Sequence, residues 1–257
     1  MTITFANPPI NEVVLGQTFH PRHDLLVPYI GEFWTLMKGQ YPKCSHAAPI
    51  IASGTTLTFD FETSVPRVWL ISEDETRLIQ VQQDRFYFNW RQTKVREDYI
   101  RFGSIKTEFD RVFGEFARYV ASRTGQALKA ERYELNYINI LDCGQGWEFP
   151  ADIGNVLRDL CWTQGQRFLS SPKRVSAKFE FALPEGFGVM TAALDPARTA
   201  ESRREVFRLE LAAAADADVV ARVSFDEWVA VAHEWIVSGF KDLTTPTMHT
   251  DHWNLER

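Results

Sequence analysis

The sequence has few cysteines and no spacing that pairs them. Cys44, Cys143 and Cys161 are the three in 257 residues, and an odd number without a CxxC motif favours neither a disulfide framework nor a zinc site. Beside Trp162, in a predicted helix, Cys161 is expected to be a small buried hydrophobe. A reducing compartment suits such a chain, so we expect a cytoplasmic protein.

Long apolar segments are also lacking. A run of about 18 apolar residues or more, the length of a transmembrane helix, does not occur. The N-terminal stretch MTITFANPPINEVV does not combine a basic start with an apolar core, as a signal peptide does. We therefore expect a soluble protein without a membrane partner.

A surplus of positive charge is absent as well. The 28 Lys and Arg residues are outnumbered by 34 Asp and Glu residues, for a net charge of -6. This balance argues against a wholesale nucleic-acid binder. The aromatic content is high instead, with 19 Phe, 8 Trp and 7 Tyr, which is enough to bury one large core or two modest ones.

No motif commits the chain to a chemistry. GxSxG and GxxxxGK[ST] do not occur, and His233-Glu234 lacks the second histidine of HExxH. The clusters HPRHD at 20–24 and MHTDHW at 248–253 fall in predicted loops, where solvated histidines are ordinary. We predict no metal site and no cofactor, and the sequence identifies no catalytic residue.

Hydrophobic periodicity predicts alternating strands and helices. Strands are expected at 12–19, 55–63, 67–72, 131–141, 174–183, 186–194 and 205–213, in addition to a hairpin at 78–91. Helices are expected after Pro28, from about residue 98 to a terminating Gly125, at 152–162, and after the capping box Ser224–Glu227.

The hairpin LIQVQQDRFYFNWR separates two kinds of side chain. If Gln83-Asp84 is the turn, Val81 faces Phe86 and Gln80 faces Tyr87. One side of the hairpin is then apolar and the other polar. The apolar side carries Ile79, Val81, Phe86, Phe88 and Trp90, and the polar side carries Gln80, Gln82, Arg85, Tyr87, Asn89 and Arg91.

The two halves of the chain look alike in pattern. IGEF at 30–33 matches IGNV at 153–156, and TFDFE at 58–62 matches KFEFA at 178–182. We predict an α+β fold of two similar β-α-β-β-β-α halves, 1–127 and 128–257, with antiparallel sheets backed by helices and a pseudo-dyad between them. One compact domain, with chance similarity between amphipathic strands, is the alternative.

Two polar surfaces are candidates for recognition, because arginine and amide side chains suit phosphate oxygens and base edges. The alternative is that these groups face water or hold the fold, with carboxylates such as Glu180 and Glu210 pairing the arginines. The predicted ligand-binding residues are Gln80, Gln82, Tyr87, Asn89 and Arg91 in the first half and Arg174, Lys178, Arg204 and Arg208 in the second.

Several segments resemble a known family. FANPPINEVV, IGEFW, RVWLISED and above all LIQVQQDRFYFNWR resemble a sporadically distributed bacterial family of proteins of about this length, without an assigned function. The resemblance covers most of the chain and is strongest over residues 7–113. It departs at Ile100-Arg101-Phe102, where a proline-containing segment is expected. It implies no catalytic residues, and its patchy distribution is similar to that of mobile or phage-defence loci.

We therefore predict a binding or regulatory module rather than an enzyme. A partner protein is the expected ligand, with a nucleotide or nucleic acid second, and a homo-oligomer is compatible with the sequence. The competing prediction is an enzyme whose arginines hold an anionic, phosphate-containing substrate at the junction of the halves.

Overall fold

The computed structural model describes residues 3–50, 66–93, 99–163, 165, 167–199 and 203–256. Nine strands form one antiparallel sheet in the order β2-β3-β4-β5-β1-β6-β9-β8-β7. The strands are β1 (Ile10–Phe19), β2 (Lys43–Ala47), β3 (Arg67–Ile71), β4 (Arg77–Gln82), β5 (Arg85–Arg91), β6 (Ala130–Asp142), β7 (Ala177–Ala182), β8 (Val189–Arg198) and β9 (Glu205–Ala215). The helices are α1 (Val27–Met37), α2 (Phe102–Thr124), α3 (Ala217–Val220), α4 (Phe225–Leu243) and α5 (Pro246–Asp251).

The predicted α+β class is confirmed, but one sheet stands where two were predicted. Alternation of apolar and polar residues specifies the two faces of each strand and says nothing about which strands pair. The chain divides into two compact units. The N-terminal unit comprises residues 13–134 and 216–221, and the C-terminal unit comprises 1–12, 135–215 and 222–257.

An aromatic core holds the N-terminal unit together. The Phe86 ring of β5 stacks on Phe116 of α2 with centroids 5.0 Å apart, and Phe33 of α1 meets the same ring edge-on at 5.1 Å. The predicted hairpin register is confirmed: Val81 pairs with Phe86 and Gln80 with Tyr87. The apolar side of the hairpin therefore packs toward the helices.

The C-terminal unit buries the apolar side of β6, β8 and β9 against α4. Trp228 and Ile236 of α4 are fully buried. At Gly239 the helix approaches the sheet so closely that an added Cβ would lie 2.9 Å from the Met190 methyl group. A glycine at this point of α4 therefore permits the close packing.

Local signals placed three helix ends correctly. Pro28 occupies the first turn of α1, and Gly125 ends α2 in the left-handed conformation with φ of 72°. The Ser224 hydroxyl accepts the Glu227 amide and opens α4. These termini depend on short-range chemistry, which is why sequence suffices for them.

The helix predicted at 152–162 is wrong. Only a 3-10 turn forms, at Pro150–Asn155. Leu157 instead makes an isolated β-bridge with Thr244, and a Cβ at Gly154 would lie 2.7 Å from the Leu160 carbonyl oxygen. Cys161 therefore lies outside any helix and is exposed, so the prediction that it is buried is also wrong.

The strand expected at 55–63 lies outside the described residues, and with it half of the TFDFE and KFEFA match. Among the described residues, no helix has both the length and the apolar character needed to cross a bilayer.

Candidate functional site

The polar side of the hairpin is buried in the N-terminal unit. Gln80, Gln82 and Tyr87 are 6%, 8% and 4% exposed, and Asn89 is 2% exposed. A buried amide is costly unless its hydrogen bonds are made. The partners of these groups therefore decide what the hairpin can do.

A hydrogen-bond network joins three strands on this side. The Gln80 side-chain oxygen accepts from Arg67 Nη1 at 2.8 Å and from Trp69 Nε1 at 3.2 Å, and its amide nitrogen donates to Asn89 Oδ1 at 2.8 Å. Gln82 accepts the backbone amide of Ile50 at 2.9 Å and donates to its carbonyl at 3.1 Å. The network ties β3, β4 and β5 to one another, as a structural role requires.

Tyr87 lies across β1 at a glycine. An added Cβ at Gly16 would lie 2.2 Å from Tyr87 Cδ1 and 2.5 Å from the Phe86 carbonyl oxygen. The Tyr87 hydroxyl donates to Glu134 Oε2 at 2.7 Å, and burial beside that carboxylate raises the pKa of the tyrosine. The ring and its hydroxyl are thus both held by the unit itself.

The arginines of this side are unequally satisfied. Asp84 receives two hydrogen bonds from Arg85, at 2.9 and 2.6 Å. Arg67 Nε and Arg91 Nε are buried and have no hydrogen-bond partner among the residues that the structure describes. Burial, and then the nearby Arg85 charge, lower the pKa of Arg67. We call Arg67, Trp69, Gln80, Gln82, Arg85, Tyr87 and Asn89 the hairpin network; Arg91 lies beside it with Nη2 on the Glu75 carbonyl at 3.2 Å.

The predicted basic residues of the second half are mostly exposed. Lys178 projects from β7, and Arg208 of β9 lies 2.7 Å from Glu210. Arg204 lies 3.6 Å from Asp142. Carboxylates thus balance two of the four charges. They also belong to a different unit from the hairpin network.

Arg174 lies in a basic pocket of the C-terminal unit. The pocket is about 380 Å³ in volume, with Lys173, Arg174 and Arg198 beside the rings of Trp147 and Phe207. Glu205 also lines it and pairs with Arg198 at 3.2 Å. Lys173 and Arg174 have no ion-pair partner in the described ranges and are the cations that an anion in this pocket would meet.

A larger groove runs between α4 and the outer strands of the C-terminal unit. Its volume is about 560 Å³, within the usual range of ligand sites. We call it the α4–β7 groove. Of the residues that line it, we call the strand residues Phe179, Phe181 and Met190 its floor, the apolar helix residues Trp235, Gly239 and Leu243 its wall, and the exposed polar residues Asp159, Glu234, Ser238 and Asp242 its rim.

The groove combines exposed aromatic surface with negative charge. Phe179, Phe181 and Trp235 are only partly buried. The rim carboxylates Asp159, Glu234 and Asp242 are exposed and have no ion-pair partner among the residues that the structure describes. Such a groove suits a ligand with apolar groups and positive charge.

Sequence reasoning missed this groove because its residues match an ordinary core pattern. Trp235 has helical spacing with Trp228, and Phe179 and Phe181 alternate with charged residues on β7. This spacing is typical of buried side chains, yet none of the three is fully buried. Periodicity predicts the side on which a residue lies, and only the packing of neighbouring elements decides whether that side is covered.

The part of the chain that the structure describes has no candidate metal centre at its histidines. Within the described ranges, no group of three or more His, Cys, Asp or Glu side chains could hold a metal ion. His249 is instead buried with Nε2 2.7 Å from the Thr244 hydroxyl. His233 contacts the Tyr137 hydroxyl at 3.1 Å, and burial lowers its pKa to about 4.

Comparison with known proteins gives no match to a family model, a curated protein or a solved structure. The family resemblance over residues 7–113 therefore stays a prediction.

Proposed function

We propose that the protein is a binding module that holds a polypeptide segment in the α4–β7 groove. The observation that carries the proposal is a groove of about 560 Å³ whose floor is aromatic and whose rim bears three carboxylates without ion-pair partners among the described residues. Apolar side chains of a ligand would cover Phe179, Phe181 and Trp235, and basic side chains would meet Asp159, Glu234 and Asp242.

The chemistry of the groove favours binding over catalysis. Its polar groups are exposed carboxylates and the Ser238 hydroxyl, and a serine nucleophile needs an adjacent general base held by a third group. Exposed carboxylates in water are suited to charge complementarity with a partner. A polypeptide is the ligand class that presents apolar and cationic groups together along an extended segment.

A displayed library of random peptides tests the proposal. We expect selection on the wild-type protein to enrich peptides that combine apolar with Lys or Arg side chains. Asp242→Lys and Trp235→Ala should each weaken binding of the enriched peptides by about tenfold or more, since about 1.4 kcal/mol corresponds to a factor of ten. The melting temperature of each variant checks that the fold is retained.

Asp195→Lys is the matched control, because Asp195 is an exposed carboxylate of β8 that does not line the groove. It makes the same charge change and should leave peptide binding unaltered. Enriched peptides that bind Asp242→Lys and Trp235→Ala as tightly as wild type would place the binding surface elsewhere and overturn the proposal.

The basic pocket supports a second candidate, the binding of a small anion. Lys173 and Arg174 line it beside the Trp147 and Phe207 rings. Pyrophosphate should then bind more weakly as salt rises, and Arg174→Glu should abolish binding. If pyrophosphate binding is unaffected by salt and by Arg174→Glu, this pocket is not the anion-binding site.

Internal duplication is a further part of the proposal, and strand order supports it. In each unit the first strand is the neighbour of the last one, β1 beside β5 and β6 beside β9. In each unit that last strand leads toward a long helix, α2 or α4. The matching segments IGEF and IGNV differ in structure: IGEF lies in helix α1, and IGNV lies at the 3-10 turn of Pro150–Asn155. The similarity between the units is therefore one of strand order and not of these two segments.

A further inference from the structure

Strand β7 has an open edge. It pairs with β8 along its length, from Ala177 opposite Leu194 to Ala182 opposite Val189. It is the last strand in the order of the sheet, and no described strand pairs with its other side. Unpaired amides and carbonyls along an edge can accept another strand.

The side chains of β7 are exposed on both faces. Lys178 and Glu180 lie on one face and are exposed, and neither has an ion-pair or hydrogen-bond partner within the described part of the chain. Phe179 and Phe181 lie on the other face and are only partly buried. Both the charges and the aromatic rings are therefore available to a neighbour.

The sequence of β7, AKFEFA, is complementary to itself. When two copies of this strand pair antiparallel with Phe179 at the centre, Lys178 of each copy lies opposite Glu180 of the other. Two cross-strand ion pairs then form on one face. On the other face Phe179 meets Phe179, and each Phe181 lies opposite the small Ala177, so that large and small side chains alternate.

Neighbouring registers lack this complementarity. A pairing centred on Lys178 places lysine opposite lysine, and one centred on Glu180 places glutamate opposite glutamate, and like charges directly opposite are destabilising. A shift of one residue between the strands would place charged side chains on the apolar face. One register is therefore favoured by charge and by packing together.

The edge strand at the other end of the sheet order, β2, does not share this property. In its sequence KCSHA, a symmetric pairing centred on Ser45 leaves Lys43 opposite Ala47. Lys43 is moreover already paired with Glu75 at 3.1 Å. Self-complementarity is thus a feature of β7 and not of edge strands in this protein generally.

We propose that the protein forms a symmetric dimer in which β7 pairs antiparallel with β7 of a second copy, centred on Phe179. A two-fold axis normal to the sheet relates the copies, so each residue contact occurs twice. The dimer joins the two sheets edge to edge and covers the exposed edge. The inference does not depend on what the α4–β7 groove binds.

Sedimentation velocity over a range of concentrations tests the dimer through charge reversal. Wild type should show reversible dimerisation. Lys178→Glu opposes two glutamates at each of the two sites, and Glu180→Lys opposes two lysines, so each should weaken self-association by at least about tenfold. The double variant K178E/E180K exchanges the charges within one chain and should restore the dimer.

Mixing the two single variants is the decisive experiment. Lys178→Glu and Glu180→Lys chains are each self-repelling, but together they oppose unlike charges at both sites and should form a heterodimer. Lys129→Glu is the matched control, because Lys129 is exposed and lies outside β7, and it should dimerise like wild type. Restoration by mixing cannot arise from a folding defect.

Three results would overturn the proposal: a wild-type monomer at the highest concentration measured, a dimer indifferent to both reversals, or variants that fail to associate when mixed. Peptide binding by the Asp242→Lys variant is measured independently of dimerisation. A wild-type protein that stays monomeric but binds the enriched peptides would reject this inference alone. A wild-type protein that dimerises as expected, with peptide binding unaffected by Asp242→Lys and Trp235→Ala, would reject the proposed function alone.

Discussion

Two strands with the same alternating pattern have opposite surroundings in the two units. On β5 the polar side chains Tyr87 and Asn89 are buried and bonded to the unit itself. On β7 the polar side chains Lys178 and Glu180 are exposed. A polar face on an antiparallel strand therefore indicates recognition only where tertiary packing leaves it uncovered.

The largest effect should come from Gly16, where Tyr87 crosses β1. Gly16→Ala would place a Cβ 2.2 Å from the Tyr87 ring and 2.5 Å from a backbone oxygen. We expect the free energy of unfolding to fall by about 3 kcal/mol, since overpacking a core forces backbone shifts. Urea denaturation of wild type and Gly16→Ala measures this loss.

Gly31→Ala is the control for that substitution. Gly31 lies within α1, and an added Cβ would meet no atom within 4 Å. This change should raise stability by roughly 0.5–1 kcal/mol, because alanine is the better helix former. Equal losses for both variants would mean that Tyr87 does not depend on the glycine.

The second effect concerns His233 of α4, which is partly buried in the C-terminal unit. Burial lowers the pKa of His233 to about 4 from an ordinary value of 6.5. Between these pH values the unfolded chain binds a proton that the native state does not. Stability should therefore be fully present above about pH 6.5 and fall by up to about 3 kcal/mol as pH falls toward 4.

His233→Gln tests this dependence. It should flatten the decrease in stability between pH 6.5 and 4, measured as the melting temperature across that range. Some slope should remain, because burial also lowers the pKa of His249. An unaltered slope would show that His233 does not titrate on unfolding.

The third effect concerns Asn89, the buried end of the hairpin network. Asn89→Ala removes the acceptor of the Gln80 amide at 2.8 Å and leaves a buried donor unsatisfied. We expect a loss of about 2 kcal/mol in the free energy of unfolding. A loss below about 0.5 kcal/mol would return Asn89 to the list of recognition residues.

The smallest effect should be at Lys178, the exposed counterpart of Asn89 in this comparison. Lys178→Ala should change the stability of the monomer by no more than about 0.5 kcal/mol, since surface substitutions outside specific contacts are nearly neutral. Urea denaturation at a protein concentration too low for self-association measures the stability of the monomer alone. A large loss would show that β7 is held by its side chains.

Sequence predicted much of the local structure and little of the exposure. The hairpin register, the Gly125 terminus and the Ser224 cap depend on neighbours close in the chain, and all three are confirmed. The predicted helix at 152–162 is wrong, because Leu157 pairs with Thr244, more than 80 residues away along the chain. Contacts of that range leave no local pattern.

For the predicted site residues of the hairpin, too, the local pattern was predicted correctly and the exposure was not. Alternation placed Gln80, Tyr87 and Asn89 on one face correctly, yet it could not show that this face is buried. For the second-half arginines the sequence left two alternatives, a basic patch or pairing with carboxylates, and Asp142 and Glu210 pair with two of them. The α4–β7 groove had no signal in sequence, because partly and fully buried aromatic residues follow the same spacing.

By itself, the amino-acid sequence determined the α+β class, the faces of each strand and the chemistry of the β7 edge, since these depend on residue order along single elements. Only the tertiary structure decided which faces are covered, that the hairpin network is internal and that the α4–β7 groove is open. The physical reason is that burial depends on the elements that pack against a face, and those elements lie far away in the chain.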